Sequence, residues 1–196
     1  MVEWSIDALA QAASVAELIV AVPPGEEDAL GTEDRVTVLA GGGTRAESVA
    51  NALAATDAEL VLIHDAARPL VTAELVDRVV ERLSGDETLA GAIAVEPVTD
   101  TTKRVDAAGS EVVETIDRDS LRAAQTPQAF RASALREALA TPGASAATDE
   151  AMLVEAAGGR VAVVEAGAPN PKVTGPEDLE VVEALLAARS ARPPRR

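Results

Sequence analysis

The sequence predicts an α/β fold, a mostly parallel sheet flanked by helices, on three observations. Short apolar, β-branched runs alternate with amphipathic segments along the whole chain. A length of 196 residues with 47% hydrophobic content suffices for one domain with a substantial core. The apolar run ELVLI at 59–63 stops at a stretch carrying an acid and an arginine. That delivers charge of both signs to the carboxyl edge of a sheet, where open α/β folds bind ligands.

Strands are expected at 17–22, 35–40, 59–63, 90–95 and 160–165. Helical periodicity appears in Val2, Ile6, Leu9 and Ala13, in Leu75, Val76, Val79, Val80 and Leu83, and in Leu179, Val182, Leu185 and Leu186. These apolar stripes have core to build. One domain is expected over 1–190, with 191–196 a frayed tail. The first periodic element is a helix beginning almost at Met1, with no strand or glycine-rich turn ahead of it. Folds that cradle nucleotide phosphates usually spend their first strand and loop on that task.

The net charge of −16 makes generic attraction to nucleic acid or to an anionic membrane improbable. An anionic ligand then requires a local basic cluster. Without cysteine there is no disulfide framework or thiolate metal site, and a single histidine excludes a histidine-rich one. Neither a signal peptide nor a bilayer-length apolar run is visible, and a cytoplasmic location is expected.

Chemistry-bearing residues fall in a few segments. HDAARP, 64–69, supplies Asp65 and Arg68, which read equally as ligand contacts or as an ion pair tying the loop down. His64 and Asp65, as neighbours in an extended segment, point to opposite faces, so His64 reads as a core or capping residue. GGGTRAESV, 41–49, follows a strand and opens a helix. Its Thr44 and Glu47 have capping-box spacing, while Gly42, Gly43 and Ser48 remain free for a base or phosphate. Residues 105–113 read as a two-stranded arm turning at 106–109, rich in charge and expected to pack on a partner subunit. TIDR and QTPQ place Arg118 and Thr126 near its base, where ordinary solvated residues would look the same. Lys172 sits in a tight connection entering the last helix and reads as a phosphate contact or as a solvent-facing lysine.

In order, GG-x-x-R-x-x-SV at 41–49, HDAARP at 64, DT-x-K at 100–103, T-x-DR at 115–118, TPQ at 126, TDE at 148 and KVT-x-PEDL at 172 resemble the 2-C-methyl-D-erythritol 4-phosphate cytidylyltransferases of the non-mevalonate isoprenoid pathway. The resemblance covers essentially all of the chain. It implies the Rossmann-like nucleotide-diphospho-sugar transferase fold with an arm at about 100–117. The implied reaction joins CTP to methylerythritol phosphate, giving 4-diphosphocytidyl-2-C-methyl-D-erythritol and pyrophosphate, with Mg²⁺ bound mainly through substrate phosphates. It further implies a homodimer whose arm reaches the neighbouring site. Carried over by position, Gly42, Gly43 and Ser48 would contact cytosine and Ala66 the ribose. Asp65, Arg68, Thr101, Arg118, Thr126 and Lys172 would hold the alcohol phosphate, with Arg118 and Lys172 positioning its phosphate. Many members carry an acid where this chain has Gly43.

The implied nucleophile is a phosphate oxygen already ionised at neutral pH, so no general base or serine nucleophile is required. Orientation and charge neutralisation suffice. The resemblance places the family's glycine-rich loop, with an arginine and a lysine that grip the triphosphate, ahead of Met1. The chain alone is therefore expected to be nearly inactive, since each such donor is worth roughly two to three orders of magnitude or more. A pentitol (ribitol) 5-phosphate cytidylyltransferase and a noncatalytic nucleotide-binding or dimer-forming relative are the alternatives. Arg68, Arg118 and Lys172 are expected to converge in space.

Overall fold

The computed structural model describes residues 1–30, 35–141 and 147–190; the expected tail at 191–196 lies outside them. In chain order the elements are α1 (Val2–Ala10), β1 (Leu18–Val22), β2 (Val36–Ala40), α2 (Arg45–Ala54), β3 (Leu60–Ile63), α3 (Ala73–Ser84), β4 (Gly91–Pro97), β5 (Thr102–Val105), β6 (Val112–Ile116), β7 (Arg122–Arg131), α4 (Ala132–Leu139), α5 (Glu150–Ala156), β8 (Val161–Glu165) and α6 (Pro176–Ser190). All five expected strands form, with ends shifted by a residue or two.

Side-chain alternation along β3 sorts the core into two layers. Leu60 and Leu62 face Leu75, Val79 and Leu83 of α3, while Val61 and Ile63 face Phe130 and Leu135 on the side of α4 and α5. Thr72 caps α3 by accepting from the Leu75 amide, and Asp149 caps α5 through the Met152 amide. On the α1 side, Leu9, Ala12 and Val15 pack against Val71 and Val76.

The sheet is less parallel than its pattern suggests. β4 and β8 are parallel, as are β1 and β2, but β7 runs antiparallel between β3 and β4 in the order β3-β7-β4-β8. No strand is expected there from sequence, because RAAQTPQAFR carries a proline and two glutamines and a central strand rarely tolerates proline. The structure resolves the conflict with a register shift. Ile93 pairs with Gln128 and Val95 with Ala124, so 125–127 lie at the irregularity, where the missing Pro127 N–H costs no ladder bond.

A second departure is a gap. Among the described residues β1 pairs only with β2, and β3 only with β7. Their free edges line a common apolar cavity of about 730 Å³, together with Ile6, Leu9 and Val49. Glu17 contacts Thr56 at the amino end of this slot, and Ser48, Arg45, Asp65 and Lys172 line its other end. The carboxyl ends of β1, β2 and β3 therefore share one edge of the molecule.

Candidate functional site

Asp65 follows β3 in a loop held by a relay of polar contacts. The Asp65 amide donates to Thr126 Oγ1 at 3.0 Å, Thr126 Oγ1 lies 3.0 Å from His64 Nδ1, and His64 Nε2 lies 3.2 Å from the Arg68 carbonyl. The carbonyl can only accept, so Nε2 carries the proton and Nδ1 accepts from Thr126. Burial holds the imidazole neutral and lowers its pKa from 6.5 to about 4, against the raising effects of the Arg68 carbonyl and Asp65.

The unfolded imidazole takes a proton near pH 6.5, whereas the folded one resists until about pH 4. The residue's contribution to stability is intact above 6.5 and is lost as pH falls from 6.5 toward 4, a span worth about 3 kcal/mol. An NMR titration of the ring should show no midpoint above about pH 5. A midpoint near 6.5 would remove His64 from the buried relay.

The charged cluster grows on this loop. Asp65 Oδ2 lies 2.9 Å from Lys172 Nζ and 4.0 Å from Arg68 Nε, while Oδ1 lies 3.2 Å from Arg45 Nη2. Burial would raise the Asp65 pKa, but the Lys172 hydrogen bond and the Arg45 and Lys172 charges outweigh it and lower it. Arg68 also donates to the Asn170 carbonyl at 2.7 Å, and Val173 N to the Ala67 carbonyl at 2.8 Å. These bonds pin the connection before α6 against HDAARP, which brings the half-exposed Lys172 side chain to Asp65. Asp178 tightens the same connection by accepting from the Thr174 amide and hydroxyl at 2.7 Å. Arg45 reaches the other way to Glu150, which is only 2% exposed.

The glycine loop 41–44 is closed by its own helix. Thr44 and Glu47 form the complete capping box, Gly43 N donates to Glu47 Oε2 at 2.7 Å, and Gly42 N donates to Ser48 Oγ at 3.0 Å. The amides of Gly42, Gly43 and Thr44 are thus taken up internally. A Cβ at Gly42 would lie 2.2 Å from Glu47 Cβ, whereas one at Gly43 meets only Glu47 Oε2, at 3.3 Å. Gly42→Ala should therefore break the cap and cost about 2 kcal/mol. Gly43→Asp should stay within about 0.5 kcal/mol of the parent. Thermal melts decide; equal losses at both positions would contradict this loop geometry.

The family model for "IspD: 2-C-methyl-D-erythritol 4-phosphate cytidylyltransferase" matches residues 1–188. This chain belongs to that family. It is 47% identical over 190 residues to the bifunctional enzyme IspD/IspF of Anaeromyxobacter dehalogenans, covering 92% of this chain and 48% of that protein, so it spans about half of that relative. It is 40% identical over 202 residues to the 2-C-methyl-D-erythritol 4-phosphate cytidylyltransferase of Acidobacterium capsulatum, covering 96% of this chain and 83% of that one. The crystal structure of the Thermus thermophilus cytidylyltransferase superposes with a TM-score of 0.77 at 39% identity, covering 94% of this chain and 87% of that one.

In this member of the cytidylyltransferase family, Asp65, Arg68 and Lys172 meet at one point, and Ser48 and Arg45 line the same cavity end. Ala66 is exposed beside them, its carbonyl 3.4 Å from Ser5 Oγ. Thr126 is 4% exposed, with its hydroxyl engaged by the Asp65 amide and His64. Arg118 does not share in the convergence within one chain: it donates to the Thr99 carbonyl at 2.5 Å at the base of the β5–β6 arm, where Thr101 also lies exposed. Sequence reasoning missed Arg45 and Glu150 as members of the cluster. Both stand inside the motifs at 41–49 and 148–150, but residues 105 positions apart announce their pairing by no local pattern.

Proposed function

We propose that this chain transfers a cytidylyl group from CTP to 2-C-methyl-D-erythritol 4-phosphate, releasing pyrophosphate, in isoprenoid precursor biosynthesis in the cytoplasm. The observation that carries this reading is the cluster of Asp65, Arg68 and Lys172 at the carboxyl edge, beside the glycine loop, in an otherwise strongly acidic molecule. Three cations share the Asp65 carboxylate and Glu150 offsets one of them, Arg45, leaving net positive charge for a phosphate, while Asp65 can accept from alcohol hydroxyls.

Gly42, Gly43 and Ser48 hold the cytosine and Ala66 faces the ribose. With the loop amides occupied, the base is read through carbonyl oxygens. Arg68 and Lys172 fix the alcohol phosphate, with Thr126 setting the Asp65 backbone. A phosphate oxygen of the alcohol phosphate attacks the α-phosphorus of CTP; the new P–O bond forms as the bond to the β-phosphate oxygen breaks. Pyrophosphate leaves with that electron pair.

Mg²⁺ fits this site as an ion carried by the substrate phosphates. Among the described residues no group of three His, Cys, Asp or Glu side chains is placed to hold a metal, and Asp65 is already held by cations. When bound, the ion neutralises phosphate charge.

The active form is a homodimer joined through the arm, which brings Arg118 and Thr101 to the partner's site. In support, Val105, Val112 and Val113 of the arm are 48%, 62% and 63% exposed. Replacing these three valines by Ser should shift the protein to monomer mass in light scattering. A dimer of unchanged mass would overturn the arm's role.

The function is tested by binding and turnover together. Methylerythritol phosphate titrated into the protein should bind, and with CTP and Mg²⁺ it should yield the cytidylylated alcohol and pyrophosphate in equal amounts. Absence of binding by both substrates would overturn the assignment.

A further inference from the structure

We propose that Arg45 is a positioning residue of this site, holding Asp65 so that Lys172 remains available to the substrate phosphate. The inference rests on the function proposed above and deepens it. Asp65 uses its two oxygens differently: Oδ1 meets Arg45 Nη2 at 3.2 Å and Oδ2 meets Lys172 Nζ at 2.9 Å. Arg45 is anchored from behind by Glu150, a carboxylate that is 2% exposed and contacts Arg45 Nη1 through both oxygens. An anchored guanidinium is directional where a solvated one is not.

The charges make the division of Asp65 consequential. Glu150 and Arg45 cancel one another, so Asp65, Arg68 and Lys172 keep the same net positive charge whether the pair is present or replaced by apolar residues. What changes is where Asp65 points. With Arg45 on Oδ1, the carboxylate is fixed and its charge is shared across the loop. Without Arg45 the carboxylate turns wholly onto Lys172 and Arg68 and competes with the incoming phosphate. Arg45 also opens α2 directly after the glycine loop, which ties the nucleotide end of the site to the phosphate end.

Removing Arg45 alone would strand Glu150, so the test uses the paired variant Arg45→Met with Glu150→Leu, which deletes the buried pair and conserves charge. Calorimetry compares methylerythritol phosphate and CTP·Mg²⁺ as titrants of the wild-type protein and the paired variant. The affinity for methylerythritol phosphate should fall about tenfold, while that for CTP stays within about twofold. In a Lys172→Met background the same paired change should have little further effect, because its influence runs through Lys172. Arg45→Lys, which keeps the charge, should restore part of the loss.

Equal weakening of both ligands, or a full additive loss without Lys172, would overturn the positioning role and leave a structural one. A wild-type protein that binds neither ligand would instead overturn the proposed function.

Discussion

Replacing Arg45 by Met should destabilise the fold by about 3 kcal/mol, because it leaves the Glu150 carboxylate buried without its cation. Burying an unpaired charge is among the few single changes that reach this size. Arg45 is itself 39% exposed, which keeps the loss at the lower end for a broken buried pair. In a chain of this length that corresponds to a fall of roughly 6–12 °C in melting temperature. Adding Glu150→Leu should recover most of it, since an apolar replacement of the whole pair removes the desolvation penalty with the attraction. A single variant that melts like the parent would show that Glu150 has another partner.

Replacing Lys172 by Met should weaken the alcohol phosphate by about 10- to 100-fold, the range of one hydrogen bond to a charged group. Lys172 Nζ is the nearest cation to Asp65, at 2.9 Å, and its removal leaves Arg68 at 4.0 Å and Arg45 at 3.2 Å. Two things change at once: a phosphate contact disappears, and Asp65 loses the hydrogen bond that leads in lowering its pKa. The Asp65 pKa therefore moves back upward. The Kd for methylerythritol phosphate, with CTP as the control ligand, is the measurement. Unchanged affinity would remove Lys172 from the phosphate site.

Much of this fold is legible in the sequence because its layers obey period and punctuation. The alternation of Leu60, Val61, Leu62 and Ile63 between two helix layers, and the Thr44–Glu47 capping box, are local features and form as read. β7 is not legible, because Pro127 and two glutamines mask a central strand whose irregular register only the neighbouring β4 supplies. The site divides the same way. Arg68 and Lys172 sit in recognisable segments and meet at Asp65, but Arg118, the third member of the expected trio, stays at the base of the arm within one chain, and the Arg45–Glu150 pairing depends on how α2 and α5 are brought together. The alternation of strand and helix also could not show that β1 and β3 would stand apart.

The separation of β1 from β3 has a consequence for how the molecule coheres. A continuous sheet welds its strands through amide-to-carbonyl ladders that salt barely touches. Among the described residues that weld stops at the slot, and the glycine loop lies on one bank while Asp65, Lys172 and Glu150 lie on the other. Helix packing and the ionic reach of Arg45 bridge the two banks, so cohesion at this fault line hangs on one guanidinium and its two acids, a tie whose nearly buried Glu150 end electrolyte screens far less than it would an exposed pair.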